Sequence, residues 1–388
     1  MLPVDAPKLE SEREALFQNK RSLLIVIGLL LLVGAYFVVS HILESRQAVN
    51  DETDNEAENN AETEVFALTD WGDEQPILDT SDVPQSEGED ELPVLPPPPV
   101  PRMDQMKKRG CVADGFLSGY GGDINSSIAL INRSQCYYLH RALETWLKPP
   151  DFKLARKIKS KVTKPNTLYG MFIAEAIETK ANYFYPAENR DFDFGEMCRL
   201  GSKNYWGEHT CKPSLEKKEY RTYVQYIAEQ AMDMGIQSFL FGQVFYQDAS
   251  DLSQSVMPQV IQDMREYADF LGMKIVIGAQ TNDITDEKYL RLFDYIEGGV
   301  GLGSDGSTED GPCFSRFWKE PGDFCWALLW HSDFSKKANN VFVHLDWSGK
   351  IGDDMSVFTR MNEEKRAETL QRLYRDMTGQ DIGFLVPM

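Results

Sequence analysis

Residues 237–280, QSFLFGQVFYQDASDLSQSVMPQVIQDMREYADFLGMKIVIGAQ, carry the pattern that decides the fold. Gln237–Val244 and Lys274–Gln280 are short apolar runs of strand length. Between them, Met257–Leu271 sets apolar residues at i, i+3, i+4 spacing and ends beside Gly272, a suitable helix C-cap. Strand, amphipathic helix, strand is the repeating unit of a parallel α/β sheet.

The alternation recurs from Arg109 onward. Eight strands are predicted: Asp114–Tyr120, Tyr169–Ile177, Gln237–Val244, Lys274–Gln280, Tyr295–Gly301, Cys325–His331, Asn340–Trp347 and Ile382–Val386. Helices are predicted over Tyr220–Met234, before Gly235, and over Met355–Thr378. Eight strands with crossovers predict a (β/α)8 TIM-like barrel over residues 106–388. An open doubly wound sheet is the alternative, but Gly119-Tyr-Gly-Gly122 lacks the spacing of its phosphate loop. Two features suit the barrel less. Gly303 to Phe324 shows no clear helix, and the first connection is long and interrupted by Pro149-Pro150.

Ahead of the barrel, Ser22 to Ile42 holds 21 residues without a formal charge. As a helix it spans ~32 Å, enough to cross a bilayer core. It is longer than the apolar core of a cleaved signal peptide. Arg13, Lys20 and Arg21 precede it and Arg46 stands alone after it. The positive-inside rule therefore predicts a cytoplasmic tail (1–21), one transmembrane signal-anchor helix (22–42) and a C-terminal domain outside the cytoplasm. Residues 43–105 form an acidic, Pro-rich linker, expected to be disordered. Gln47 to Pro101 contains 16 Asp and Glu and no Lys or Arg, so most of the chain's formal charge of −21 belongs to the tether. The remainder offers no basic face for nucleic acid.

All six cysteines lie beyond the span, as expected of disulfides in an exported domain. Their order suggests the local pairs Cys111–Cys136, Cys198–Cys211 and Cys313–Cys325. No zinc spacing, His-x-x-x-His, His-Glu-x-x-His, nucleotide motif or Gly-x-Ser-x-Gly elbow occurs, so neither cofactor nor metal is expected. Asn125-Ser-Ser127 and Asn132-Arg-Ser134 fit the N-glycosylation pattern.

The active face of such a barrel lies at the C-terminal ends of its strands. Polar residues there are Glu175, Gln243, Gln280, Asp283, Glu297, His331, Asp333, His344 and Asp346. In Asn340–Trp347 the residues Phe342, His344 and Asp346 share the face expected to point inward. Carboxylates among amides and aromatics suit a carbohydrate site, since glycosidic bonds are cleaved by two carboxyl groups. Glu297 is the expected general acid, Asp346 the nucleophile or base, and Glu175 the competing carboxylate. Tyr120, Gln243, Gln280, Asp283, Trp330, His331, His344 and Trp347 are the candidate substrate contacts. The long segment Glu178–Ser214, with Trp206, Glu208 and His209, is a candidate binding wall or a structural excursion.

In strand order and strand-end acids, residues 111–388 resemble the (β/α)-barrel glycoside hydrolases. That resemblance implies a barrel fold and a glycan or polysaccharide substrate. The best-known clan has Asn-Glu at the end of strand four and Glu at strand seven, where this chain has Gln280-Thr-Asn-Asp283 and Asp346. The D-x-x-D-x-D-x-E pattern of chitinase-like barrels is also absent. No catalytic role therefore carries over, and the assignments above rest on position alone. Besides a membrane-anchored glycoside hydrolase, the sequence admits a catalytically silent barrel that binds a surface polysaccharide or protein, or a scaffold displaying loops.

Overall fold

A computed structural model describes residues 97–120, 122–248, 255–282, 284–308, 328–347 and 353–388. The expected tail, membrane span and most of the linker lie outside these residues. Among the described residues no helix is long and apolar enough to cross a membrane.

The main sheet holds β1 (Gly110–Val112), β2 (Tyr138–Glu144), β3 (Leu168–Ile173), β4 (Ser238–Phe241), β5 (Val276–Ala279), β6 (Tyr295–Gly299), β7 (Val341–His344) and β8. Strand β8 is recorded as two successive segments, Gly383–Phe384 and Val386–Pro387. All pairings are parallel and follow chain order. The first segment of β8 pairs with β7 (Phe342 with Gly383) and the second with β1 (Cys111 with Val386), which closes the ring. This is a parallel α/β barrel of the TIM type.

Helices α1 (Met103–Lys108), α2 (Ile124–Arg133), α3 (Phe152–Lys159), α4 (Lys218–Asp233), α5 (Val244–Gln247), α6 (Val256–Phe270), α7 (Glu287–Leu290), α8 (Ser332–Ser335), α9 (Asp354–Thr359) and α10 (Glu363–Thr378) complete the described elements. Aspartates 123 and 151 cap α2 and α3 through side-chain acceptance of backbone N–H groups. Gly235 (φ 80°) and Gly272 (φ 67°) end α4 and α6 in the left-handed conformation their sequence positions suggested.

Two apolar layers follow from strand alternation. Outward-facing Met171, Phe239, Phe241 and Ile277 pack with Val224, Ile227 and Ala231 of α4 and with Met257 and Met264 of α6. Inward-facing Val112, Leu168, Phe172, Leu240, Tyr295, Phe342 and Leu385 fill the barrel. At its N-terminal end α1 inserts Met106, which is wholly buried. The last prolines of the linker pack there too, with Tyr137 Oη donating to Val100 O at 2.9 Å and Gln237 Nε2 donating to Pro99 O.

Three sequence expectations need correction. Asp114–Tyr120 is not a strand: β1 ends at Val112, and Phe116–Ser118 is a 3-10 turn between Gly115 (φ 60°) and Gly119 (φ 78°). The described part of Cys325–His331, from Leu328, is a turn leading into α8. The strand that completes the count is β2, inside the long first connection. The predicted helix Met355–Thr378 is divided, because Asn362 leaves helical geometry to cap α10, accepting from Lys365 N at 2.8 Å.

Of the expected disulfides, Cys111–Cys136 and Cys198–Cys211 are present. Cys313 and Cys325 lie outside the described residues. The second bridge staples an excursion after β3 that contains the hairpins Ile177–Glu178/Thr210–Cys211 and Phe184–Tyr185/Arg190–Asp191.

Candidate active site

Inside the barrel, the interior alternation of β2 brings Tyr138 and His140 inward. Tyr138 Oη hydrogen-bonds with His140 Nδ1 (2.9 Å), Ser238 Oγ (2.9 Å) and Tyr295 Oη (3.2 Å). Above this hydroxyl cluster lies Glu297 of β6, its side chain wholly buried. Oε1 of Glu297 is 3.7 Å from His140 Nε2 and in contact with His344 Nε2 of β7. His344 Nε2 is in turn 3.9 Å from Asp346 Oδ1. Charge and hydrogen bonding from these two imidazoles hold the Glu297 carboxylate. A polar column thus climbs the barrel axis from three hydroxyls to a carboxylate at the mouth.

The column separates its protonation states. Burial would raise the Glu297 carboxyl, but the two imidazoles override it and hold the group well below the ordinary carboxylate range. Burial would lower His344, yet Glu297 and Asp346 raise it to about 9. His140 is lowered, chiefly by burial. Asp346 is pushed up to about 6 by burial, with Asp354 and Glu297 adding and His344 and Arg141 opposing.

Asp346 keeps 19 % of its side chain exposed, and neighbouring groups fix its backbone. The buried Asp354 carboxylate of α9 accepts from Asp346 N (3.2 Å), Val300 N (2.9 Å) and Leu302 N (2.6 Å). It ties the end of β7 to the loop after β6.

Glu175, two residues beyond β3, is 2 % exposed, and its Oε2 has no hydrogen-bond partner. That oxygen and the Phe172 ring lie where a side chain on residue 242 would project, so only glycine fits there. Burial pushes Glu175 up to about 7, against the pull of Arg141 and Lys212. In the closed ring β3 and β7 are four strands apart in either direction, so Glu175 and Asp346 rise from opposite walls.

The charge of Arg141 favours the ionised form of both. A register shift in β2 between Leu139 and Leu143 places Arg141 at φ 54°, uncommon for a residue with a Cβ. Bulges of this kind re-aim side chains beside active sites. The guanidinium contacts Glu144 Oε1 (2.9 Å) and Asp114 Oδ1 (3.2 Å), and lies 4.2 Å from the Phe172 ring centre. The excursion and the ends of β2 and β4 also present half-buried rings. Trp206 meets Trp146 edge-on at 5.2 Å and Tyr205 at 4.8 Å, while Lys212 Nζ lies 3.0 Å over Tyr205 and 3.3 Å over Tyr246.

The expected site residues divide accordingly. Glu297, His344 and Asp346 converge, but Glu297 and Asp346 do not face each other across the mouth. Their strands are adjacent and paired, Gly299 with His344, and the imidazole stands between the carboxylates. The held-down Glu297 does not suit a general acid, and His344 is buried beneath the mouth. Gln280 Oε1 accepts from Gln243 N at 3.3 Å, a bond that shapes the loop after β4. His331 accepts from Asp333 N and caps α8, and Trp330 Nε1 donates to Val300 O. Tyr120 and Trp347 are exposed aromatics, Trp347 by 59 %. Asp283 lies outside the described residues.

Sequence reasoning missed His140, Arg141, Glu144 and Asp354. The first three sit in 138-YLHRALE-144, where the bulge breaks the period-two signal. Asp354 belongs to the Gly-Asp-Asp capping signal before α9. A groove of about 740 Å³ between α4 and α6, lined in part by Tyr185, Tyr226 and Gln259, lies outside the strand ring and holds none of the mouth carboxylates.

No family model matches the sequence, and no curated protein is significantly similar to it. Solved structures do match. Glycoside hydrolase family 5 enzyme PbGH5A from Prevotella bryantii is 9 % identical, with a TM-score of 0.41 over 76 % of this chain and 92 % of its own. The glycoside hydrolase domain of PelA from Pseudomonas aeruginosa is 10 % identical, with 0.40 over 72 % and 93 %. A GH27 β-L-arabinopyranosidase from Geobacillus stearothermophilus is 10 % identical, with 0.32 over 50 % of this chain; the match spans about half of the enzyme (54 %). These scores are too low to add to the fold assignment, which rests on the strand pairing itself.

Proposed function

We propose that the barrel is a carbohydrate-active enzyme, a glycoside hydrolase with Asp346 as nucleophile or base and Glu175 as general acid. One observation carries this reading. Two carboxyl groups, both under the influence of the cation Arg141, rise from opposite walls of the mouth. Glycosidic cleavage requires one proton-bearing and one ionised carboxyl. Glu175, raised to about 7 through burial, keeps its proton on about half of the molecules at pH 7 and on more below it. Asp346, at about 6, is already ionised there. Half-buried rings at the ends of β2 and β4 and on the excursion supply flat apolar faces suited to sugar rings.

The apolar stretch 22–42 and its flanking cations support a membrane-tethered enzyme acting on extracytoplasmic glycans. The test is release of reducing sugar from a panel of polysaccharides by the full-length chain. Activity requires ionised Asp346 and protonated Glu175, so kcat/KM should peak between pH 6 and 7 and fall on both sides. Affinity for a glycan without cleavage would sink the hydrolase and leave a binding barrel.

A further inference from the structure

Of the groups in the column, His344 has no part in the reaction proposed above, yet its Nε2 contacts Glu297 and lies 3.9 Å from Asp346 Oδ1. We infer that His344 is a positioning residue, an imidazolium held between Glu297 and Asp346 that keeps Asp346 ionised and thereby makes Glu175, not Asp346, the proton donor. The assignment of Asp346 as the reacting group rests on the hydrolase reading; the charge state of His344 does not.

The geometry carries the argument. A carboxylate wholly enclosed in a barrel is tolerated only where a cation or hydrogen-bond donors compensate it. Among the described residues the two imidazoles are the groups that face Glu297, so compensation falls chiefly to the one in contact with it. His140 is the poorer source of that charge. It is farther from Glu297, and its Nδ1 is already engaged by Tyr138. The cation on His344 then has a second anion within reach, Asp346, on the side toward the mouth.

The charged groups facing this imidazole come from several elements. Glu297 lies on β6, His140 and Arg141 on β2, Asp346 just past β7 and Asp354 on α9. Arg141 opposes the imidazolium, whereas Glu297 and Asp346 favour it. The direct contacts are with the carboxylates, so the cation wins.

The experiment is an imidazole titration by NMR on the full-length chain labelled with 15N-histidine. With five histidines in the sequence, single variants assign the signals. At pH 7.5 one ring should be protonated on both nitrogens, absent in H344Q and converted to the neutral form in E297Q. A neutral His344 in the parent chain, or an imidazolium unchanged in E297Q, overturns the inference. So does one equivalent of a transition metal with the spectrum of a coordinated ring.

A second readout separates charge from structure. Glutamine at 344 keeps a donor of similar reach without the charge, so in H344Q the acid limb of kcat/KM should move upward by about 1–3 pH units. An unmoved limb overturns the role. Should H344Q fail to fold, the titrations of the parent chain and E297Q still decide. Absence of sugar release by the parent chain counts against the hydrolase, not against the imidazolium.

Discussion

At the N-terminal end of the strands, α1 closes the barrel with the wholly buried Met106, and Lys107 Nζ meets Asp381 Oδ2 at 2.9 Å in a pair that offsets its own charge. At the opposite end Glu144, Glu175, Glu297, Asp346 and Asp354 share the charges of Arg141 and His344, and Glu175 Oε2 has no hydrogen-bond partner among the described residues. The same strands therefore end in a well-matched plug on one side and in unreconciled charge on the other. Side chains that stabilise a fold and side chains that do chemistry ask opposite things of burial. The contrast predicts opposite signs for substitutions at the two ends.

The largest effect is expected from D346N. It removes the proposed nucleophile or base without disturbing the Asp354 clamp, which holds Asp346 by its backbone. Sugar release should fall by about 10²–10⁴-fold with no loss of thermal stability. Equal activity in D346N would end the assignment.

Met106→Ala tests the other end. Emptying a fully buried methionine site should cost about 2–5 kcal/mol in urea unfolding. The pH optimum of any activity should stay where it is. A shift would mean that the plug and the mouth are coupled and the comparison of the two ends is too simple.

For E175Q the sign reverses. The folded-state carboxyl of Glu175 titrates at about 7 against an ordinary 4.5. The stability it contributes is fully present below the unfolded value and is lost as pH rises through about 7. At pH 8 the parent chain therefore carries a penalty of the order of 3 kcal/mol, which the neutral amide avoids. E175Q should be more stable than the parent at pH 8, no more stable at pH 4, and inactive. Unfolding curves at the two pH values decide it; destabilisation at pH 8 would show that the carboxylate has a partner.

The sequence made the barrel legible because helix periodicity and apolar runs survive in β3 to β7 and around α4 and α6. It hid β2 for a physical reason. A strand lining the interior of a small barrel can carry Tyr, His, Arg and Glu when neighbours satisfy them, and the bulge at Arg141 then shifts the alternation. The apolar Leu328 and Leu329 misled in the other direction, since both are buried in a turn. Asp346 and Glu175 were visible as strand-end acids. The role of Glu297 was not, because only its contact with His344, on the neighbouring strand β7, turns a candidate acid into a fixed anion.

The smallest effect is expected at Trp347. It follows Asp346 directly and leaves 59 % of its surface in solvent, so little packing depends on it. An exposed tryptophan beside a reacting carboxylate is placed to stack on a sugar ring, a contact worth about 0.5–1.5 kcal/mol. Trp347→Ala should therefore raise KM by roughly 2–10-fold and leave kcat unchanged. Stability should stay within about 0.5 kcal/mol, as for other surface substitutions. The competing wall is Trp206, half-buried against Trp146 and Tyr205 within the disulfide-stapled excursion. Trp347 adjoins Asp346 in the chain and Trp206 lies on the excursion that follows β3, so KM measurements on alanine variants of each locate the bound sugar. An unchanged KM in Trp347→Ala with a raised KM in Trp206→Ala would place the glycan on the excursion after β3 and not beside Asp346.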